Sequence, residues 1–298
     1  MQTVVERDAM AGRLLVVDVG ATDIKWAVAI DGELGAVQRT PTRRGSIRQL
    51  IDQLSSLHSV AAASEPLPWA LCTAGVVDTA GGRILWSGNL GLEDEPIVER
   101  LAAAGSRPRF IVNDVDAAAV GEAAGRTLGL LQIGSGVAGR TVLDGAVLSG
   151  AHGYAGEVGH FVYLPEGRPC ICGLTGCVEA YAGMIAIRER YSELGRTSPS
   201  ALQVLADAAS NQYAAELLED ALHAIAFAAA VVVIAYDPGT LRLGGGVAAA
   251  WGEKLRAAVE SGVADRVPRG LSERTRFELS RLGERAPLLG LLHLAKST

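Results

Sequence analysis

One histidine and three cysteines lie close together near the middle of the chain. His160 is followed by Cys170, Cys172 and Cys177, and imidazole nitrogen and thiolate sulfur are the donors that Zn²⁺ prefers in a closed tetrahedral site. Four protein ligands leave no position for water, so the sequence predicts a structural metal. The alternative is a set of buried thiols or a disulfide, which the Cys-x-Cys spacing disfavours because it gives poor disulfide geometry.

Two carboxylates flank this cysteine-rich segment. Glu157 precedes His160 by three residues, and Glu179 follows Cys177 by two. A loop braced by a metal would hold both carboxylates near one place. The sequence therefore predicts a polar pocket beside the metal.

These motifs resemble a known family. The run Gly156–His160, the Cys-x-Cys-Gly-x-x-Gly-Cys run Cys170–Cys177 and the following Glu179 are similar to the signature of the ROK family of sugar kinases and sugar-responsive repressors, in its zinc-containing branch. The resemblance covers most of the chain. It implies an α/β protein with the two-domain actin-like ATPase (ribonuclease H-like) sugar-kinase fold, with a cleft between the lobes. It also implies that Glu157, His160 and Glu179 bind sugar hydroxyls.

The segment near the N-terminus resembles the first phosphate loop of that fold. Glycine at Gly20 permits close approach of the backbone to phosphate, Thr22 offers a hydroxyl, and Asp18 and Lys25 flank the loop. The resemblance implies that Asp18 faces Mg²⁺ through water. Taken alone, an Asp-x-Gly segment between strands is more often a simple turn. Ala21 stands where the family usually has a second glycine.

Two further glycine-rich segments are candidates for nucleotide binding. Gly134-Ser135-Gly136 resembles the second phosphate loop, in which Ser135 keeps the hydroxyl of the usual threonine. Ala138 replaces a usual glycine, and its Cβ would clash if the backbone there requires a positive φ. Gly244-Gly245-Gly246 resembles the loop that approaches the adenosine and phosphates of ATP. A glycine triplet after a strand is, however, more often a matter of packing.

Asn113-Asp114 follows a predicted strand, and the resemblance implies that the aspartate is the catalytic base while the asparagine orients the sugar. Phosphoryl transfer needs such a base because the attacking hydroxyl must lose its proton. A helix N-cap is the alternative role for Asp114. Asp116 is the nearest competitor, but its position in an alanine-rich helix start favours capping or a surface role. Two further positions resemble those around the sugar pocket: Gly75 and Asn89.

Both phosphate-loop candidates lie between two predicted strands. The first loop is flanked by Leu14 to Val17 and Trp26 to Ile30, the second by Leu130 to Ile133 and Thr141 to Leu143. This weak internal repeat suggests duplicated lobes, each with one phosphate loop. We expect an N-terminal lobe over residues 14–120, which a C-terminal helix at 286–298 is a candidate to complete. The second lobe covers residues 121–285 and contains the zinc knuckle at 160–177.

Composition and termini limit the classes of function. The chain has 298 residues and a net charge of −6, which suits small substrates and argues against nucleic acid as a partner. Glu6, Arg7 and Asp8 precede any apolar run, unlike a signal peptide. The longest apolar stretch, Ala221 to Tyr236, falls short of the roughly 20 residues that span a bilayer. With thiols used for metal, we expect a cytoplasmic protein without a membrane partner.

The leading hypothesis is an ATP-dependent hexose kinase that uses Mg²⁺ and transfers the γ-phosphoryl group to the 6-hydroxyl. Glucose is favoured, although related enzymes bind other hexoses and N-acetylhexosamines, and the resemblance implies a homodimer. The alternative is a non-catalytic sugar sensor of the repressor branch that lacks its DNA-binding domain. About a dozen residues precede the first predicted strand, too few for a winged helix-turn-helix.

Overall fold

A computed structural model describes residues 12–63, 65–193, 195 and 199–296, so Glu6, Arg7 and Asp8 lie outside the described residues. The chain divides into two compact units. The first takes the residues up to Gly121 together with those from Arg285 onward. The second is Glu122–Glu284.

The elements are numbered in chain order. The strands are β1 (Arg13–Val19), β2 (Asp23–Ile30), β3 (Glu33–Leu34), β4 (Gln38–Pro41), β5 (Trp69–Thr73), β6 (Val76–Asp78), β7 (Arg83–Ser87), β8 (Leu92–Glu95), β9 (Ile111–Asn113), β10 (Leu128–Ile133), β11 (Val137–Leu143), β12 (Ala146–Val147), β13 (Thr240–Gly244) and β14 (Arg276–Leu279). The helices are α1 (Ile47–Ala62), α2 (Ile97–Ala103), α3 (Asp114–Ala123), α4 (Glu179–Ala182), α5 (Met184–Glu193), α6 (Ala201–Asp207), α7 (Gln212–Tyr236), α8 (Gly245–Ala264), α9 (Arg269–Ser272) and α10 (Ala286–Leu294).

The first unit is built on a sheet with the order β3-β2-β1-β5-β9, in which β4 also pairs with β2. Strand β1 is buried on both faces, which explains its unbroken apolar run. Leu15 and Val17 pack into one core cluster and Leu14 and Val16 into another, because successive side chains point to opposite faces. Strands β1, β5 and β9 run parallel. Their carboxyl ends therefore meet at one edge, where α/β sheets place ligands.

Helices α3 and α10 pack closely in the first unit, and two glycines make this possible. A Cβ at Gly290 would lie 1.7 Å from the Ala117 carbonyl oxygen, and one at Gly121 would lie 2.2 Å from that of Ala286. The apolar C-terminal segment predicted as a helix thus forms α10 and covers one face of the sheet.

The second unit has a sheet with the order β12-β11-β10-β13-β14. Helix α7 packs against β10 and β11 as well as α4 and α8, and small residues such as Ala224 and Ala228 are fully buried along it. The helix begins after Asn211, whose side-chain oxygen accepts from the backbone N–H groups of Tyr213 and Ala214. It ends at Tyr236, and the next residue, Asp237, adopts a left-handed conformation with φ 46°.

The length of α7 corrects one sequence-based argument. With 25 residues it is long and apolar enough to cross a membrane, so shortness does not exclude a span. Of its most apolar window, 61% is buried inside the protein, as in the core helix of a globular unit.

The second phosphate-loop candidate is shorter than predicted, because the strand expected to begin at Thr141 already begins at Val137. Strand β11 begins at Val137 and pairs with β10 from Ile133 onward, so the loop contains only residues 134–136. Ala138 lies in the strand and does not have a positive φ. The clash considered for its Cβ therefore does not arise.

Candidate functional site

Asp18 lies near the carboxyl end of β1, in register with Cys72 on β5. Its side chain is buried, with Lys25 Nζ 3.4 Å from Oδ2 and Cys72 Sγ 3.7 Å from Oδ1. Burial raises the pKa of Asp18, and Lys25 opposes this shift. Burial and the nearby carboxylates of Asp18 and Asp114 raise the pKa of Cys72, so this thiol stays protonated and donates its hydrogen.

The first phosphate-loop candidate is a tight turn that Thr42 stabilises through hydrogen bonds. The Gly20 N–H donates to the Asp23 carbonyl at 3.1 Å. Thr42 braces the turn twice, because its Oγ1 donates to the Gly20 carbonyl at 2.7 Å and its N–H donates to the Thr22 carbonyl at 2.9 Å. Ala21 does not have a positive φ, so its side chain costs the turn no backbone strain.

Asn113 and Asp114 lie at the carboxyl end of β9, where α3 begins. Asn113 Oδ1 accepts from the backbone N–H groups of Val115 and Asp116 at 2.8 and 3.0 Å, so Asn113 caps the helix. Asp114 Oδ1 also accepts from the Val115 N–H, at 3.0 Å. The N-cap role that the sequence left open for Asp114 is therefore carried largely by its neighbour.

The structure brings Gly75 and Asn113 together. Asn113 Nδ2 donates to the Gly75 carbonyl at 2.7 Å. Gly75 has a φ of +112°, and a Cβ there would lie 2.3 Å from the Trp86 carbonyl oxygen, so only glycine fits. Asn89 lies exposed in the turn between β7 and β8.

In the second unit, His160 and the three cysteines converge. Their ligand atoms all lie within 4.8 Å of one another. Cys172 Sγ and Cys177 Sγ are 3.7 Å apart, and Cys170 Sγ is 3.6 Å from His160 Nδ1. Tetrahedral zinc with ordinary bond lengths separates two sulfurs by about 3.8 Å and sulfur from nitrogen by about 3.6 Å. The residues present fit Zn²⁺.

The protonation of the cysteines depends on whether a metal ion is bound. Burial, together with the neighbouring Cys172 and Cys170 thiols, raises the pKa of Cys177 to about 12. Burial raises the pKa of Cys170 as well. Without a positive charge these groups are thiols at neutral pH, whereas a bound metal ion stabilises the thiolates.

Glu157 is held by a residue that the sequence analysis missed. Arg140 on β11 is 2% exposed at its side chain, and its Nη2 lies 2.8 Å from Glu157 Oε1, while its Nη1 donates to the Gly139 carbonyl. The signal was available, because an arginine within an apolar strand requires a buried partner. Thr42, also missed, has no comparable signal, since its role depends on strand pairing.

Glu179 contacts the second phosphate-loop candidate. Its Oε2 accepts from the Val137 N–H at 2.8 Å. The loop residues Gly134 and Ser135 accept from Met184 and Ile185 N–H groups at 2.9 and 3.2 Å. The structure thus joins a predicted sugar ligand to the loop predicted to bind phosphate.

The third glycine segment is a strand-to-helix junction, because β13 ends at Gly244 and α8 begins at Gly245. A Cβ at Gly244 would lie 2.4 Å from Gln132 Oε1, and Gly245, with a φ of +91°, would place one 2.2 Å from the Ile133 carbonyl oxygen. Packing against β10 therefore explains these two glycines. Gly246 has open space above its Cα.

Comparisons with known proteins show which family the chain belongs to. Residues 14–298 match the model of the ROK family. A glucokinase of Halalkalibacterium halodurans is 29% identical, covering 92% of each chain, and an N-acetylmannosamine kinase of Yersinia pestis is 32% identical, covering 83% of this chain and 88% of its own.

Among solved structures, the ROK hexokinase from Thermus thermophilus superimposes with a TM-score of 0.79 and 30% identity, covering 96% of this chain and 99% of its own. The fold is accordingly the actin-like ATPase sugar-kinase fold predicted from the motifs. Together with the family match, these similarities establish that the chain belongs to the ROK family and is a sugar kinase.

Proposed function

We propose that the protein is an ATP-dependent hexose kinase that phosphorylates the 6-hydroxyl of glucose, with Asp114 as general base. The observation that carries the proposal is the edge of the first sheet, where Asp18 near the end of β1 and Asn113-Asp114 at the end of β9 lie at the carboxyl ends of strands that both run parallel to β5. Such an edge can hold a phosphate-bound cation and a hydroxyl group close together.

The proton transfer is assigned to Asp114. The sugar hydroxyl gives its proton to this carboxylate as its oxygen bonds to the γ-phosphorus, and the bond from the γ-phosphorus to the bridging oxygen breaks to release ADP. Asn113, fixed by the Gly75 carbonyl and by the start of α3, orients the sugar. Carried over from the resemblance, the sugar contacts are Gly75, Asn89, Asn113, Glu157, His160 and Glu179.

The phosphates are assigned to three segments. These are Gly20 and Thr22 with Lys25, then Gly134-Ser135-Gly136, and then the junction Gly244-Gly245-Gly246, where Gly246 offers the open backbone. Asp18 would hold Mg²⁺ through water, and the ion would neutralise charge on the phosphates. His160, Cys170, Cys172 and Cys177 would hold Zn²⁺, which supplies structure and keeps the two flanking carboxylates in place.

A coupled assay of ADP release tests the proposal. Each assay contains Mg-ATP and one of six sugars: glucose, mannose, fructose, allose, N-acetylglucosamine or N-acetylmannosamine. We expect the highest kcat/KM with glucose. A higher kcat/KM for N-acetylmannosamine would support a sugar kinase but contradict glucose as its substrate. Sugar binding without ADP release would favour the sensor of the repressor branch. The homodimer and the cytoplasmic location stay predictions, the former testable by light scattering.

A further inference from the structure

Glu179 opens α4, two residues after Cys177, and lies behind the second phosphate-loop candidate. The loop exposes Ser135 on one side. On the other side, Glu179 Oε2 accepts from the N–H of Val137, the residue directly after the loop, at 2.8 Å. The half-buried carboxylate therefore fixes the point where the loop re-enters the sheet.

The same carboxylate limits which residue fits at position 136, where the chain has glycine. Its φ is not positive, so no left-handed conformation requires glycine here. A Cβ at this position would instead lie 2.1 Å from Glu179 Oε2 and 2.8 Å from its Cδ. Any larger residue at 136 requires the Glu179 carboxylate to move, and Oε2 is the same oxygen that accepts from Val137.

The segment after Glu179 completes the support. Met184 and Ile185 donate backbone N–H groups to the Gly134 and Ser135 carbonyls, and a Cβ at Gly183 would come within 2.9 Å of the Ser135 carbonyl oxygen. We call residues 179–185 the clamp. Val178, just before the clamp, and Ala182 within it are fully buried, which anchors the clamp in the core of its unit.

We propose that Glu179 is a positioning residue for the nucleotide, acting through Val137 and Gly136 to set the second phosphate loop in its binding conformation. This inference rests on the proposed function, because it requires the loop to bind ATP. A carboxylate repels phosphate, so any benefit to ATP affinity must come from holding the loop. The same side chain, if it also binds sugar, links the affinities for both substrates.

The decisive measurement is the Kd for ATP in the absence of sugar, by calorimetry. Glu179→Ala removes the acceptor of the Val137 N–H, and we expect about tenfold weaker ATP binding, since a charge-assisted hydrogen bond is lost. Glu179→Gln keeps an acceptor oxygen in the same place, so its Kd should stay within about threefold of wild type. The melting temperature of each variant is measured alongside, to separate this effect from loss of folding.

Glu157→Ala is the matched control. Glu157 is the other carboxylate that the resemblance assigns to the sugar, but its observed contact is with Arg140 and not with the loop. This variant should raise the sugar KM while leaving the ATP Kd within about twofold. Equal ATP affinities in Glu157→Ala and Glu179→Ala would overturn the inference. So would an equal loss in Glu179→Gln and Glu179→Ala.

A double-mutant cycle tests the contact with Gly136. Gly136→Ala should weaken ATP binding about tenfold in the wild-type background but less than about threefold with Glu179→Ala, because the colliding carboxylate is then absent. Additive effects would contradict the proposed contact. If the wild-type protein binds sugar but no ATP at all, the proposed function itself fails, whereas normal ATP binding in every variant removes only the role of Glu179.

Discussion

The two phosphate-loop candidates share one design but are braced differently. Each joins two antiparallel strands that pair up to the loop, Val19 with Ile24 in the first unit and Ile133 with Val137 in the second. The first loop is held by Thr42, a residue of the same sheet edge, through its backbone and its hydroxyl. The second is held by the clamp, through the carboxylate of Glu179 and the backbone N–H groups of Met184 and Ile185.

This difference determines what each loop depends on. The brace of the first loop follows from strand pairing, because β4 runs beside β2 and delivers Thr42 to the turn. The brace of the second loop starts two residues after a predicted zinc ligand, Cys177. Disturbing the metal should therefore reach the second loop and leave the first unchanged.

The largest expected effect lies outside both braces. Asp114→Asn should lower kcat by about 10²–10⁴-fold, because the amide keeps the size and hydrogen bonding of the side chain but cannot accept the proton. Sugar and ATP affinities should stay within several-fold, since neither loop is touched. Asp116→Asn, two residues along α3, is the control and should keep nearly full activity. Near-normal kcat in Asp114→Asn would remove this residue from the mechanism.

Loss of zinc should affect the second loop but not the first. Purified protein should hold about one Zn²⁺ per chain by elemental analysis, and Cys172→Ser should release it. We expect the sugar KM to rise about 10–100-fold, and the ATP Kd to rise as well because the clamp is freed. A variant without zinc that binds sugar normally would defeat this account. A change confined to sugar would show that the clamp is stable without metal.

The brace of the first loop gives a smaller effect. Thr42→Val keeps the shape of the side chain but removes the hydrogen bond from Oγ1 to the Gly20 carbonyl, and we expect the ATP KM to rise about threefold to tenfold. The sugar KM should not change. In combination with Cys172→Ser the effects on ATP should add, because the two braces lie in different units. Strong non-additivity would show that the braces are not independent.

How far the sequence predicts this arrangement depends on the range of the contacts. The predicted zinc ligands lie within one short segment, and helix α7 is bounded by local signals at Asn211 and Asp237. The roles of Thr42 and Glu179 arise instead from contacts with residues 22 and 42 positions away. Nothing in the local sequence specifies such partners. Gly136 is a similar case. The sequence suggested that this glycine allows phosphate to approach, whereas the structure shows that the Glu179 carboxylate occupies the space a side chain would need.

The smallest expected effect concerns stability beside the first loop. Burial raises the pKa of Asp18 in the folded chain, more than Lys25 lowers it. The contribution of this group to stability is therefore complete below its ordinary pKa and is lost as the pH rises through the raised value, so the charged form is a net cost at pH 7.

Asp18→Asn should then raise Tm at pH 7 by about 1–3 °C, while weakening Mg-ATP binding. Lys25→Met should lower Tm, because it removes the partner that offsets the burial of Asp18. A Tm for Asp18→Asn well below that of the wild type would mean that the Lys25 ion pair stabilises the fold, and that Asp18 is kept for structure as much as for the metal.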